Sequence, residues 1–364
     1  MKSYIIAGYF IWVFGLISFS SKAQFSDTRQ VVRQFSVSPE TQIEIANKYG
    51  KIDINTWDKD SAVFEISIRV EEKKLSKLEE SMRNIEFDVT SSVNYLIVRT
   101  EVEKNKGGLA KEFKKFKETL LSSDGNIQVD YTVWIPETNR LKIENKFGDI
   151  FIGDYKGEVW INLSNGNLKA NDFYNNIDLT LNFADATINT IKQGRLDCNF
   201  SELYLKEAES IRIISKSTEF DLQEVMELNA ESRRDKFRIQ HADLLDAQGS
   251  FSNFRIKELT DRANIRAEYG DIEINETASD FGGMIIQSKS TDISLYFNRE
   301  SSFNFEINRT KTVLSLDETM NVTDETISED EKTVTMKGSF GESSEAAPKL
   351  NITSDSGSLS IRSK

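Results

Sequence analysis

The chain predicts a mainly β protein: a parallel β-solenoid, or β-helix, of about twelve coils of 17 to 18 residues, with a small α/β module inserted near its N-terminus. Two observations carry this. Apolar residues recur in three fixed columns at that interval, and no proline falls between Glu137 and Ala347. A third narrows the alternatives, because a single cysteine, Cys198, allows no internal disulfide and so no small disulfide scaffold.

Anchored on an apolar residue that often follows Gly-Asp or a similar small-polar pair, the repeat runs Ile150, Leu168, Ala186, Leu203, Phe220, Phe237, Phe254, Ile272 and Ile293. The intervals are 18, 18, 17, 17, 17, 17, 18 and 21. Two residues after each anchor stand Ile152, Ala170, Ile188, Leu205, Leu222, Ile239, Ile256, Ile274 and Leu295, all apolar. Seven before each stand Ile143, Ile161, Leu179, Leu196, Ile213, Ala230, Ala247, Ile265 and Ile286. The same key picks Ile45, Ile52 and Ile54 near the N-terminus, Ile307, Leu314 and Leu316 further on, and Ile352, Leu359 and Ile361 at the C-terminus.

Side chains two apart on a strand share a face, and the residues between (Asp53, Lys169, Thr187, Asp221, Arg238, Glu273) are mostly polar. One coil cannot bury its own apolar face, so coils stack. The prolines are Pro39, Pro136 and Pro348, and a proline inside a stacked ladder would remove a donor. A hexapeptide left-handed helix would show an apolar residue every six positions; the columns here fall at −7, 0 and +2, which argues against it.

The ends of the chain are read separately. Lys2, the apolar run Tyr4 to Phe19, and small residues Ser21 and Ala23 form a secretory signal over 1–23, with cleavage before Gln24. The run is short for a spanning helix, and no cysteine near the cut could carry a lipid anchor. Residues 24–57 read as N-terminal strands and a first coil, 58–137 as the inserted α/β module, 138–317 as the main solenoid, 318–349 as a surface excursion and 350–364 as a capping coil. Within the module, Val63 to Val70 alternates as a strand and Leu75, Leu78, Met82 and Ile85 fall at helical spacing. Strands are expected at Ile85–Val89, Tyr95–Val102 and Ile127–Trp134, and a second, basic helix from Gly107-Gly108 through Phe113, Phe116, Leu120 and Leu121.

Removing Lys2 and Lys22 with the signal leaves 44 basic against 59 acidic residues, a net charge of −15. That disfavours nucleic acid as a partner, and no membrane span is expected after signal removal. The sequence holds no Gly-rich phosphate loop, nucleophile elbow or His/Cys metal spacing, so no catalytic residue and no cofactor is expected. His241 is the only histidine and Cys198 shares parity with core positions.

Three sets of residues stand out as candidate binding groups. Asp149, Asp185 and Glu202, one before their anchors, could ladder into a hard-cation site, although a solvated edge of turn hydrogen bonds is the plainer reading. Arg234, Arg238 and Arg255 form a basic patch. Arg234 stands three before its anchor, in a column otherwise holding Phe147, Asn165, Phe183, Phe200, Ser217, Phe251, Tyr269 and Ser290, and its charge suggests a bulge or outward turn among salt bridges to Glu231, Asp235 and Glu258. Phe151, Trp160 and Tyr204 are aromatic at outward parity, with Phe173 and Tyr174 in a turn; they could contact a glycan or pack beneath the inserted module.

The segments Asn47–Trp57 (NKYGKIDINTW), Glu144–Gly157 (ENKFGDIFIGDYKG) and Ala267–Asn275 (AEYGDIEIN) resemble a bacterial family of exported, adhesin-like β-solenoids of unknown function, the auto-transporter adhesin head type. The resemblance runs from about Gln42 to the C-terminus and specifies a coil rather than a chemistry. It implies an exported location (periplasm, outer-membrane surface or extracellular) and a non-enzymatic binding or scaffolding role toward a protein or polysaccharide of the envelope or matrix. The competing readings are a β-helix carbohydrate-active enzyme of lyase or hydrolase type, with a convergent groove near Arg234, and a periplasmic structural or stress accessory.

Overall fold

The computed structural model describes residues 24–102, 125–329, 332–342 and 344–364. The secretory signal expected over 1–23 and the second helix expected from Gly107 lie outside the described residues. Of the described residues 74% are in strands and 3% in helix, and the strands form one mostly parallel sheet, as expected of a solenoid-like fold.

The N-terminal end is built from β1 (Phe25–Ser36), β2 (Gln42–Asn47), β3 (Ile52–Trp57), β4 (Ser61–Glu72), α1 (Leu75–Arg83), β5 (Ile85–Ser91), β6 (Tyr95–Val102) and β7 (Gly125–Pro136). β1, β4 and β7 pair antiparallel, and β7 then runs parallel to β3. β5 pairs antiparallel with β6, which lies parallel to β2. The segment therefore prolongs the stack at its end and does not lie across its flank. Only Leu78 and Met82 of the helical series are buried by α1; Leu75 is exposed, and Ile85 already opens β5.

The stack continues through β8 (Leu141–Lys146), β9 (Ile150–Ile152), β10 (Val159–Ser164), β11 (Asn167–Asn182), β12 (Asp185–Asn199), β13 (Glu202–Lys216), β14 (Glu219–Arg233), β15 (Lys236–Ser250), β16 (Asn253–Glu268), β17 (Asp271–Ile274) and β18 (Gly283–Phe297). Each anchor pairs in parallel with the next, Ile150 with Leu168, Leu168 with Ala186, and so on to Ile272 with Ile293. All three apolar columns of this stack are buried. Two more inward columns flank them: one nine before the anchor (Leu141, Ile177, Leu228) and one five after it (Tyr155, Phe173, Val225). The inward series breaks between −5 and 0, between +2 and +5, and between +5 and the next −9. At the last of these, a 17-residue coil shifts parity (Val225 to Leu228) and an 18-residue coil leaves an exposed residue between two inward ones (Asn175 between Phe173 and Ile177). Three breaks per coil mean three corners, so each coil wraps a core on three sides. Within it, Phe237 stacks on Phe220 at 4.5 Å and on Phe254 at 5.0 Å.

The corner before each anchor has a fixed form. The residue at −3 takes positive φ in coil after coil, from Phe147 (58°) and Phe200 (54°) to Arg234 (60°) and Tyr269 (56°). Its N–H donates to the carbonyl at −4 of the next coil, as from Phe183 to Asn199 and from Arg234 to Ser250. At −2 the chain passes close to its neighbour: a Cβ on Gly148 would lie 1.9 Å from the Gly50 carbonyl oxygen.

The C-terminal end holds β19 (Phe303–Leu316), β20 (Asn321–Ile327), β21 (Thr333–Phe340) and β22 (Lys349–Ser363). β22 is not an end cap. It lies parallel between β18 and β19, and the stack finishes with β19, the antiparallel β21 and then β20. The reason is its composition: Leu350, Ile352, Leu359 and Ile361 are all buried, whereas every residue of β20 is exposed. A strand with a complete apolar key needs cover on both sides.

Candidate binding face

Residues at −1, +1 and +3 from each anchor share parity and point away from the core, so the stack aligns them into one continuous flank. The +1 column reads Asp53, Phe151, Lys169, Thr187, Tyr204, Asp221, Arg238, Arg255 and Glu273, in direct coil-to-coil register. The +3 column is rich in side-chain amides, with Asn55, Asn171, Asn189, Gln223, Gln240 and Asn275. The −1 column carries Asp149, Asn167, Asp185, Glu202 and Glu219. Seven of the nine residues singled out in the sequence (Phe151, Tyr204, Arg238, Arg255, Asp149, Asp185 and Glu202) thus stand on one flank.

At its N-terminal part the flank forms a groove of about 970 Å³. Phe151 and Tyr204 line it with Trp134 of β7, the amides Asn55, Asn171 and Asn189, and the charges Asp53, Asp154, Asp172, Lys169 and Lys206. Burial opposes ionisation of Asp172, but hydrogen bonds donated by Asn189, Thr190 and Tyr174 outweigh it and hold the carboxyl below its ordinary range. Trp134 continues the flank because β7 pairs with β3, placing Trp134 opposite Asn55. β7 therefore extends the aromatic surface; Tyr204 stays exposed.

Further along, the charges neutralise one another. Glu219 takes Lys236 and Arg238 (3.4 Å), and Arg255 meets Glu273 at 3.5 Å. Two of the −1 carboxylates, Asp149 and Asp185, are occupied by backbone and amide donors. Asp149 accepts from the Asn167 N–H and Nδ2, both at 2.9 Å, and Asp185 accepts from the Glu202 N–H at 3.1 Å. Asn167 separates Asp149 from Asp185 in the ladder, and among the described residues no group of three acids, histidines or cysteines could hold a metal. At Asp149 and Asp185 the geometry provides turn hydrogen bonds.

The other residues fall elsewhere. Trp160 sits on a different flank, between Lys142 and Asp178. Arg234 is no local bulge, since every coil turns outward at its position; its guanidinium lies over the Phe251 ring at 6.0 Å. Asp235 belongs to no surface salt bridge. It is buried, and accepts from Ser215, Ser232 and the Thr218 and Arg233 N–H groups. Phe173 is core, while Tyr174 is exposed. His241 stands on the strip four residues past the anchor, with Nδ1 2.8 Å from Glu224 and Nε2 3.1 Å from Glu258. Cys198 is buried, which pushes its thiol well above its ordinary pKa and keeps it protonated. Trp134 and the amide column were the flank residues missed in sequence. The amides follow the same key at +3, whereas Trp134 reaches the flank only through the β3–β7 pairing.

No family model matches the chain, and no curated protein matches it. Among solved structures it is similar to a candidate cell adhesion protein from Clostridium sporogenes, at 9% identity, covering 93% of this chain and 100% of that one with a TM-score of 0.20. It is similar to a candidate adhesin from Parabacteroides distasonis (12% identity, 73% and 97% covered, TM-score 0.39). A candidate adhesin from Bacteroides fragilis is similar at 12% identity, with 92% and 97% covered and a TM-score of 0.28.

Proposed function

We propose that this is a non-enzymatic, exported, adhesin-like protein whose solenoid, of about twelve coils, lays its long flank on an extended glycan of the envelope or matrix. The supporting observation is the groove where Trp134, Phe151 and Tyr204 meet the amide column. Aromatic rings offer apolar faces to sugar rings, and amides both donate and accept toward hydroxyls. A rigid stack repeats these groups along its length, which suits many weak contacts with a polymer. The lyase-type alternative requires Arg234 in a convergent groove, and Arg234 lies on a corner outside this one.

Two experiments test the reading. Protease shaving of intact cells, with a periplasmic marker intact, should remove a surface-displayed protein; protection until the outer membrane is opened favours the periplasmic accessory instead. Purified protein should bind a member of a polysaccharide panel without shortening it, and Trp134→Ala with Tyr204→Ala should weaken that binding about tenfold or more. Release of reducing ends, or binding unmoved by the double variant, would sink the proposal.

A further inference from the structure

A second surface lies around the corner from the flank and has a different chemistry. The −3 residues form an outward ridge, and four of its aromatics are strongly exposed: Phe183 (61%), Phe200 (46%), Phe251 (52%) and Tyr269 (43%). All four hold φ between 52° and 57°. A bulky side chain in that region is strained by about 1 kcal/mol or more, and glycine or asparagine would fit more easily. Burial in the core does not account for these large exposed rings in a strained backbone.

The rings stand face to face along the stack, Phe183 on Phe200 at 4.9 Å with planes 3° apart, and Phe251 on Tyr269 at 5.0 Å and 12°. Cations cover faces that remain: the Lys216 ammonium lies 5.5 Å from the Phe200 centroid and the Arg234 guanidinium 6.0 Å from that of Phe251. What Phe200 and Phe251 offer to solvent is therefore ring edges, which are the electropositive part of an aromatic ring. Between Lys146 and Ser290 the −4 and −3 columns hold five cations (Lys146, Lys216, Arg233, Arg234, Lys289) and one acid, Glu268. Among the described residues Lys216, Arg233 and Arg234 join no ion pair, unlike Arg238 and Arg255 on the flank. In a chain of net charge −13 this is a positive track.

We propose that the ridge binds an acidic polysaccharide, distinct from any glycan on the flank, with its carboxylates set against Lys216, Arg233 and Arg234 and along the ring edges. Ring edges and uncompensated cations both favour anions. Both faces of Phe200 and Phe251 and one face each of Phe183 and Tyr269 are occupied, which leaves little room for base stacking. Cations spread over several coils of ~4.8 Å rise are too sparse for the charge density of a duplex.

The test is binding of the intact protein to immobilised alginate, a polyuronate, at rising NaCl. Neutral dextran, duplex DNA and phosphatidylglycerol vesicles serve as comparisons. Alginate is expected to bind in a salt-sensitive manner and the others weakly. Lys216→Gln with Arg234→Gln should weaken alginate about tenfold or more. Phe200→Asn with Phe251→Asn should weaken it too while the melting temperature holds, because asparagine accepts this backbone. Tyr204→Ala on the flank should leave alginate unchanged, so the two surfaces fail separately. Absent alginate binding, equal binding of dextran, tighter binding of DNA or vesicles, or indifference to the ridge variants would overturn the assignment.

Discussion

Arg234 lies over the ring of Phe251, 6.0 Å from its centroid, and both residues hold positive φ, 60° and 57°. An exposed cation–π contact contributes ~0.5–1 kcal/mol against the ~1–2 kcal/mol that each left-handed residue costs, so the contact offsets part of the strain at these two corners. One coil earlier, Ser217 has φ 54° and no such ring contact. Ser217→Asn is expected to raise stability by about 0.5–1 kcal/mol, because asparagine tolerates the conformation that serine resists. The measurement is the denaturant midpoint at unchanged slope; a lower midpoint would show that corner strain does not limit this coil.

Asp235 is the buried exception in a column that elsewhere holds Ala184, Ser201, Thr218 and Ser252. Burial raises its carboxyl pKa, against hydrogen bonds from Thr218, Ser215, Ser232 and Arg233 that favour the charged form. Because the folded pKa exceeds the unfolded one, its contribution is fully present below the unfolded carboxylate range and is lost as pH rises through the folded value. Asp235→Asn should cost about 1–3 kcal/mol at neutral pH, since it turns amide hydrogens toward existing donors. The gap between native protein and variant should widen as pH falls from neutral to below the carboxylate range, read by melting at each pH. A gap that narrows on acidification would reverse the assigned direction.

Phe237 is sandwiched between Phe220 and Phe254. Phe237→Ala removes a ring that neighbouring coils, held in register by backbone ladders, cannot close over. A loss of about 3–5 kcal/mol is expected from chemical denaturation, and Phe237→Leu should recover most of it. A cost under 1 kcal/mol would mean that the coils collapse around the gap.

The stack was legible in sequence because stacking forces the same positions inward in every coil, so Ile143, Ile150 and Ile152 have counterparts throughout. The corner was misread for a reason that period-two logic cannot see. Phe183, Phe200 and Phe251 look like a core column by composition, yet the positive φ at that residue turns them outward. Asp235 failed in the opposite sense, since an acid beside two arginines reads as surface while its backbone position is interior. The flank was half visible: Phe151 and Tyr204 share the +1 column, but Trp134 arrives through a pairing 79 residues away from Asn55, which no local pattern encodes.

The place of β22 gives the strongest test of the topology. It contributes Leu350, Ile352, Leu359 and Ile361 to the core, and it pairs along nearly its full length with β18 on one side and β19 on the other. A terminal cap could be removed with the rest of the solenoid left standing, because each coil of a repeat stack contacts only its neighbours. Removing an intercalated strand is different. It strips the partner from β18, leaves β19, β20 and β21 without a backbone ladder to the stack and held to it by the packing of Phe303 on Phe281 and Phe297, and exposes buried apolar residues on both sides. Truncation before Lys349 is therefore expected to unfold residues 303–342 together, seen as loss of amide protection across β19 and β21 with β11 to β15 still protected. Retained protection in β19 would show that it can pair directly with β18, and that the C-terminal strand is dispensable.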